Sequence, residues 1–396
     1  MLLRLCGIFN LFCFILICCQ SSSIGSGRNL RDEVDECSAN GEIFSDHVFK
    51  EYAAGLQSRE DIIKKDRVSA KHEHEVMFAV KHKNLGILER ILHDTSDPKS
   101  DRYGHHLTRE EVEDLTSNKE SQVAILTFLE GHGVTVVSES LYGEFITAQA
   151  PIGLWETLFN TEFYTFHHQR SEDEVVNKLV RAEKYSIPRG LHHHVDAVFG
   201  TIQMPSMMWG RPIMTRVEDF DSNSTIRHKA VTGYTTPSLL NSFYNIDSNT
   251  GSAASTQAAF ETIGQYINED DLLKFQKYFN LPNQSLTSKV GGHVDSANTI
   301  CSSNPDTCTE PNLDIQYLMA VSQVSPTTHW YTDLNNFSSW LSSIANTANP
   351  PLVLSISYGA NENTVSKSEF DAFNVQAIKL NSMGITIVAS SGGKNM

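Results

Sequence analysis

The apolar positions in the first half of the chain switch between the strand period of two and the helix period of about 3.6. They predict strands at 75–82, 134–138, 144–149 and 162–168, and helices from 85 to 92, from 108, from 121 to 130 and from 152 to 159. Thr108 is a plausible helix cap, and Glu111 stands at the capping-box position. Strand, helix, strand, strand, helix, strand predicts an α+β module of the split β-α-β, ferredoxin-like type.

The pattern changes after residue 235, where short apolar runs alternate with helical segments. We predict strands at 257–261, 352–358 and 385–389, and helices at 269–279, 310–322 and 367–380. Asn268 is expected to cap the first of these helices. Short, continuously apolar strands separated by helices favour a parallel, doubly wound sheet that is covered on both faces.

The start of the chain has the pattern of a targeting segment. Arg4 precedes an apolar run at 5–19, and a polar stretch of small residues follows. This predicts a secretory signal over 1–23, with a signal anchor as the alternative. The run is shorter than the roughly 20 residues of a spanning helix. Because no second apolar span follows, we expect no membrane span once the signal is removed.

The remaining chain divides into four parts. These are a flexible lead at 24–45, an α+β domain at 46–203, a linker with a processing region at 204–232, and an α/β domain at 233–396.

Length and charge restrict the class of function. A chain of 396 residues is long for one domain, which agrees with two folded units. Lys and Arg number 31 against 47 Asp and Glu, for a net charge of −16. Binding to phosphate backbones needs a basic surface, so we expect no nucleic-acid partner.

Cysteines and sequons also indicate the secretory pathway. After the signal only Cys37, Cys301 and Cys308 remain. Cys301 and Cys308 flank a short loop, which predicts a local disulfide in an oxidising compartment; a zinc site is the weaker alternative. Sequons for glycosylation stand at Asn223, Asn283 and Asn336.

The candidate chemistry lies in the predicted helix at 310–322. Glu310 and Asp314 are four residues apart and therefore share one helix face, while Pro311 suits a first helical position. Like charges at this spacing repel unless a proton is shared, which raises the pKa of one carboxyl group. Such a group can act as a general base at acid pH, where histidine is protonated. The alternative is two solvated acids stabilised by a helix N-terminus.

An ordered set of motifs carries a family resemblance. The set comprises DRYGHHLT at 101–108, TPS at 236–238, GQY at 264–266, EPNLDIQY at 310–317 and SISYG at 355–359. Over roughly residues 45–393, the chain resembles the sedolisin family of serine-carboxyl peptidases, most closely its tripeptidyl-peptidase branch.

The resemblance implies a fold and a site. The fold is a subtilisin-like, doubly wound parallel sheet, here incomplete, preceded by a ferredoxin-like activation prodomain. By resemblance Glu310 is the general base and Asp314 orients it. The family's serine nucleophile and calcium site lie in a C-terminal part that this chain lacks, so we expect no cofactor or metal here. Gly393 stands where the family has the aspartate of the oxyanion hole.

The implied function is that of a serine-type peptidase. It would be made as a secreted zymogen, be inhibited by its own prodomain, and act at acid pH on peptide or protein substrates, as a tripeptidyl-peptidase or an endopeptidase. The expected location is a lysosomal or other acidic compartment, or the outside of the cell. Without the nucleophile, we expect this chain to be inactive. The alternative is an inactive secreted product that binds or inhibits a full-length relative.

Histidine is concentrated in the first half. Thirteen of the 16 histidines lie within residues 47–194. Because histidine gains charge near pH 6.5, acidification is expected to charge this half more than the second and to weaken their docking. The alternative is that these are surface histidines with no such role.

Overall fold

The computed structural model describes residues 46–56, 59–168, 178–204, 235–262, 264–292, 297–332, 337–359 and 362–390. The predicted signal at 1–23, the lead at 24–45, and all but the first residue of the linker at 204–232 lie outside these residues. Within the described ranges, no helix has the length and apolar character needed to cross a membrane.

The first half, as far as it is described, contains nine strands, four α-helices and a short 3-10 helix at Arg189–Leu191. The strands are β1 His47–Tyr52, β2 Ile62–Arg67, β3 Glu73–Val80, β4 Thr135–Glu139, β5 Phe145–Pro151, β6 Phe163–His168, β7 Lys178–Ala182, β8 Lys184–Pro188 and β9 Val195–Phe199. The helices are α1 Leu85–Ser96, α2 Arg109–Thr116, α3 Lys119–Gly131 and α4 Ile152–Phe159. The four predicted strands and four predicted helices are all present, most with ends shifted by a few residues.

The main sheet of this half has the order β4-β5-β3-β9 and is antiparallel throughout. β3 and β4 both pair with β5 and are separated by it, while β5 and β9 are separated by β3. Two split β-α-β units therefore interleave, as predicted. One predicted element was wrong: β6, expected as the fourth strand, instead pairs with β2 and β7 in a separate sheet. The chain passes through β7 and β8 before β9 takes the fourth place.

The two faces of this sheet have different neighbours. In β3, Val76, Phe78 and Val80 belong to the core formed with α3 and α4. Ala79 points to the other face, since side chains alternate along a strand. There it packs in a smaller cluster that also includes Ala372 from the second half of the chain.

The second half is built around a five-stranded parallel sheet. Its strands are β10 Gln257–Glu261, β11 Ser288–Val290, β12 Thr327–Tyr331, β13 Val353–Ile356 and β14 Thr386–Ala389, in the order β11-β12-β10-β13-β14. Its described helices are α5 Pro237–Tyr244, α6 Glu269–Tyr278, α7 Ala297–Ser303, α8 Asp306–Val321, α9 Phe337–Ala345 and α10 Lys367–Ser382. The strands are paired in parallel, as the apolar pattern predicted.

Helices cover both faces of this sheet. Phe260 of β10 packs against Trp340 of α9 and Leu380 of α10. Ala259, its neighbour in the strand, packs against Ile315 of α8 on the opposite face. From β10 the chain builds β11 and β12 on one side and then β13 and β14 on the other. This reversal leaves a crevice at the carboxyl ends of β10 and β13, where doubly wound sheets commonly hold their sites.

Candidate active site

Four polar side chains meet at this crevice. Glu261 is the last residue of β10, and Tyr358 follows β13, which pairs with β10. Helix α8 contributes Glu310 and Asp314, and the charges of both influence the ionisation of Glu261. The structure thus brings the two predicted acids together at the position that the sheet topology favours.

Helix α8 begins at Asp306, earlier than the sequence indicated. The prediction that Pro311 opens the helix is wrong, because Pro311 lies inside it. A proline has no N–H to donate to the carbonyl four residues earlier. Here that carbonyl, of Thr307, accepts a hydrogen bond of 2.8 Å from the backbone N–H of Tyr266. The carbonyl of Thr307, which cannot bond within the helix to Pro311, therefore connects α8 to the segment that follows β10.

A disulfide fixes the first turn of α8. Cys301 in α7 and Cys308 in α8 are bonded, with their Cα atoms 5.6 Å apart, and both are buried. This geometry leaves no place for the alternative zinc site. The cross-link lies only two residues before Glu310 and restrains the helix that carries both acids.

Burial controls the ionisation of this cluster. Asp314 is 9% exposed, and burial raises its pKa to about 7, with the charge of Glu310 acting in the same direction against a hydrogen bond from Ser357. Glu261 is fully buried, and burial together with the charge of Asp314 raises its pKa well above the usual range. At least two of the acids at this crevice therefore hold a proton more tightly than they would in water.

Sequence reasoning missed Glu261. Side chains alternate along β10, so Glu261 points to the same face as Ala259, towards α8. Its Oε2 accepts a hydrogen bond of 2.8 Å from the Tyr358 hydroxyl, and its Oε1 has no hydrogen-bond partner among the described residues. The sequence feature that could have identified Glu261 is its position as a charged residue at the end of a strand that is buried along its whole length.

A groove of about 340 Å³ runs along α8 beside these acids. Asp314 forms part of its wall, and the other lining residues are mainly apolar, including Leu313, Tyr317, Leu318 and Val321. Within the described ranges, no group of three or more His, Cys, Asp or Glu side chains is arranged to hold a metal ion.

The remaining predicted site residues are distributed elsewhere. Asn283 is exposed in the loop after α6, which suits a glycosylation site. Asn223, Asn336 and Gly393 lie outside the described residues.

Comparisons with known proteins agree with this architecture. Residues 60–204 match the protein family described as "Pro-kumamolisin, activation domain". Physarolisin of Physarum polycephalum is 28% identical over 333 residues, which cover 80% of this chain and 53% of that protein. Human tripeptidyl-peptidase 1 is 27% identical over 342 residues, covering 82% of this chain and 57% of that protein. The chain thus spans about half the length of the curated relatives that it matches.

A solved structure also aligns with the chain. It is an epidermin leader peptide processing serine protease of Staphylococcus aureus, with a TM-score of 0.36 and 10% identity, covering 80% of this chain and 60% of that one. A likeness this distant carries no argument about the fold.

The matches define a class: an activation domain followed by an α/β unit similar to peptidases. Over about four fifths of its length the chain is similar to Physarolisin and to tripeptidyl-peptidase 1, and its first half matches the activation domain of the pro-kumamolisins.

Proposed function

We propose that the second half of the chain is part of a subtilisin-like catalytic domain of a serine-type peptidase, in which Glu310 is the general base and Asp314 orients it. The observation that carries this proposal is the group of buried acids at the carboxyl ends of β10 and β13. Burial of acids is costly for stability, so their presence at the crevice favours a catalytic role.

The ionisation of the cluster suits proton transfer at acid pH. With a pKa of about 7, Asp314 is protonated at pH 5 and has a proton to donate to Glu310 on the same helix face. Glu310 is proposed to accept the proton of an attacking serine hydroxyl. In this arrangement two carboxyl groups replace the histidine and aspartate of the usual triad.

Two further parts of the catalytic centre do not come from the described residues. The nucleophile is proposed to be a serine in the C-terminal part found in longer relatives, and the oxyanion aspartate is replaced by Gly393. The calcium site is proposed to lie in the same C-terminal part. We therefore propose that residues 1–396 by themselves do not supply a complete catalytic centre. The second candidate is an inactive secreted product that binds a full-length relative.

The first half is proposed to act as an intramolecular inhibitor in a secreted zymogen. The family match at residues 60–204 supports this role, as does its packing against the second half through Ala372. The signal-like start and the sequons support passage through the secretory pathway to an acidic compartment or the cell exterior. The proposed substrates are peptides or proteins with free N-termini, or internal peptide bonds.

A probe experiment separates the two candidates for this chain. The chain is incubated at pH 4–5 with a serine-reactive fluorophosphonate, and it is separately mixed with active tripeptidyl-peptidase 1. Labelling of the chain would contradict the proposal that its catalytic centre is incomplete. Inhibition of the relative without labelling would support the binding candidate.

The roles of the acids are tested in an extended protein. Residues 1–392 are joined to the C-terminal part of Physarolisin, and peptide hydrolysis is measured at pH 4–5. Glu310→Gln and Asp314→Asn are each expected to lower kcat at least about a hundredfold, because proton transfer is lost. Glu362→Gln is the control, since Glu362 is exposed in the same half. Equal activity in all variants would overturn the assignment.

A further inference from the structure

Helix α10 lies between the two main sheets of the chain. On one side, Ala377 and Leu380 pack into the core of the parallel sheet. On the other side, Ala372 packs with Ala79 and Phe145 of the antiparallel sheet in the first half. The helix is thus part of the second half through one face and meets the first half with another.

The first half contacts this second face near both of its ends. The backbone N–H of Ser368 donates a hydrogen bond of 3.3 Å to Oε1 of Glu51. At the other end, the carbonyl of Ser382 accepts a hydrogen bond of 2.9 Å from the backbone N–H of Leu107. Ser368 and Ser382 are 14 residues apart, which is about four helical turns, so they lie on the same face. The first half therefore follows α10 along almost its whole length.

These contacts distinguish poorly between one helix and another. Both end contacts use backbone groups of α10, which a helix of any sequence provides. The contact of the Ser368 hydroxyl with Gln203 is long, at 3.5 Å. Ala372 contributes one methyl group to the mixed apolar cluster, and burial of so little apolar area stabilises the contact weakly.

Lys379 makes the contact that depends on the side chain. It is 1% exposed, and its Nζ lies 2.7 Å from Oε1 of Glu113 in α2 and also contacts Oε1 of Glu144. Glu144 stands immediately before β5, so both carboxyl groups come from the first half. A lysine of the second half is therefore enclosed by two acids of the first.

The first half holds these acids in place with its own residues. Nε2 of His82 lies 2.9 Å from Oε1 of Glu144. Burial alone would raise the pKa of Glu144, but its hydrogen bond with His82 and the charge of Lys379 lower it to about 2. Glu113 is carried by α2, whose start is fixed by the capping box at Thr108. The first half thus presents an anionic recess to the helix that covers it.

We propose that Lys379 selects the partner of the first half. The sheet face of the first half binds an α/β unit whose covering helix has small residues along the contact and a lysine opposite Glu113 and Glu144. It rejects a unit with a neutral or acidic residue at that position, because the enclosed carboxyl groups would then carry an uncompensated charge. The same requirement applies to any full-length relative that the first half binds.

This inference deepens the docking role proposed for the first half. It does not depend on the roles of Glu310 and Asp314, because the recess and the lysine lie outside the crevice that holds those acids.

Hydrogen exchange in the full chain at about pH 7.5 tests the selection. The Leu107 amide donates across the interface, so its opening constant reports separation of the halves. Lys379→Met removes the cation, and we expect it to raise this constant at least about a hundredfold. Adding Glu113→Gln and Glu144→Gln to this variant should reverse most of the rise, because no unpaired carboxylate then remains.

The control is Lys367→Met, because Lys367 is on the same helix and its side chain is 80% exposed. It should leave the exchange of the Leu107 amide unchanged. Amides of the central strands β3 and β10 separate loss of docking from unfolding of either half. If Lys379→Met unfolds the chain, recovery of folding in the triple variant is the expected result.

Two outcomes would overturn the proposal. One is an unchanged opening constant in Lys379→Met, and the other is a rise that the two glutamine substitutions leave in place. Peptide hydrolysis is not the readout, so failure of this test is distinct from failure of the proposed catalytic roles.

Discussion

At the scale of single residues, the candidate site depends on where acids are buried. Asp314 and Glu261 lie at the end of a parallel sheet, and burial is the largest influence on the pKa of each. The compensating hydrogen bonds come from Ser357 and Tyr358, neighbours in the segment after β13. One short segment thus supplies donors to two acids on different elements, which fixes their positions relative to each other.

The stability of the chain should report on Asp314. Its pKa rises from the ordinary 3.8 to about 7, so the folded state binds this proton more tightly than the unfolded state. The stabilisation is present below the ordinary value and is lost as the pH rises through about 7. Up to about 4 kcal/mol is linked to a shift of this size. Urea denaturation between pH 4 and pH 8 should show a decline that Asp314→Asn reduces.

The control for this change is Asp371→Asn, because Asp371 is an exposed acid on α10. It should leave the decline with pH unchanged. If Asp314→Asn behaved like this control, the burial and the raised pKa assigned to Asp314 would be incorrect.

At the scale of elements, local capping and long-range docking are connected. Helix α2 begins with a complete capping box, in which the Thr108 hydroxyl accepts from the N–H of Glu111 and the Glu111 carboxylate accepts from the N–H of Thr108. The same helix carries Glu113, which contacts Lys379 across the interface. The start of α2 therefore helps to position one acid of the interfacial group.

Removal of this cap has an expected cost. Thr108→Ala should lower the free energy of unfolding by about 1 kcal/mol, since the backbone N–H of Glu111 loses its side-chain acceptor. Urea denaturation at constant pH measures the change. Thr108→Ser keeps the hydroxyl and should remain close to the parent chain; a loss of stability as large as that of the alanine variant would show that the methyl group, not the cap, matters.

At the scale of the whole molecule, the parallel sheet has an accessible edge. Among the described strands, β14 pairs only with β13, and Val388 in β14 is 53% exposed. A strand edge with exposed apolar side chains is a template for pairing with another chain. The chain as given is therefore expected to associate with itself.

Sedimentation velocity at micromolar concentration tests this expectation. The parent chain should form oligomers, and Val388→Lys should reduce them because a charge on an edge strand opposes pairing. Val123→Lys is the matched control, since Val123 is 60% exposed but lies on helix α3. A monomeric parent chain would contradict the prediction.

The sequence by itself determined the local structure and the two acids of α8. Helix α4 and strand β10 have the predicted bounds, and Thr108 and Asn268 cap the helices that they were expected to cap. These features follow from periods and hydrogen bonds that span only a few residues, so the amino-acid order specifies them. The spacing of Glu310 and Asp314 placed both on one helix face for the same reason.

Only the tertiary structure decided which distant residues meet. It joined Glu261 to the acids of α8, replaced β6 by β9 in the main sheet of the first half, and enclosed Lys379 with His82 and Glu144. The partners in these contacts are separated by tens to hundreds of residues. Their proximity depends on how sheets and helices pack, and no local period or cap encodes that arrangement.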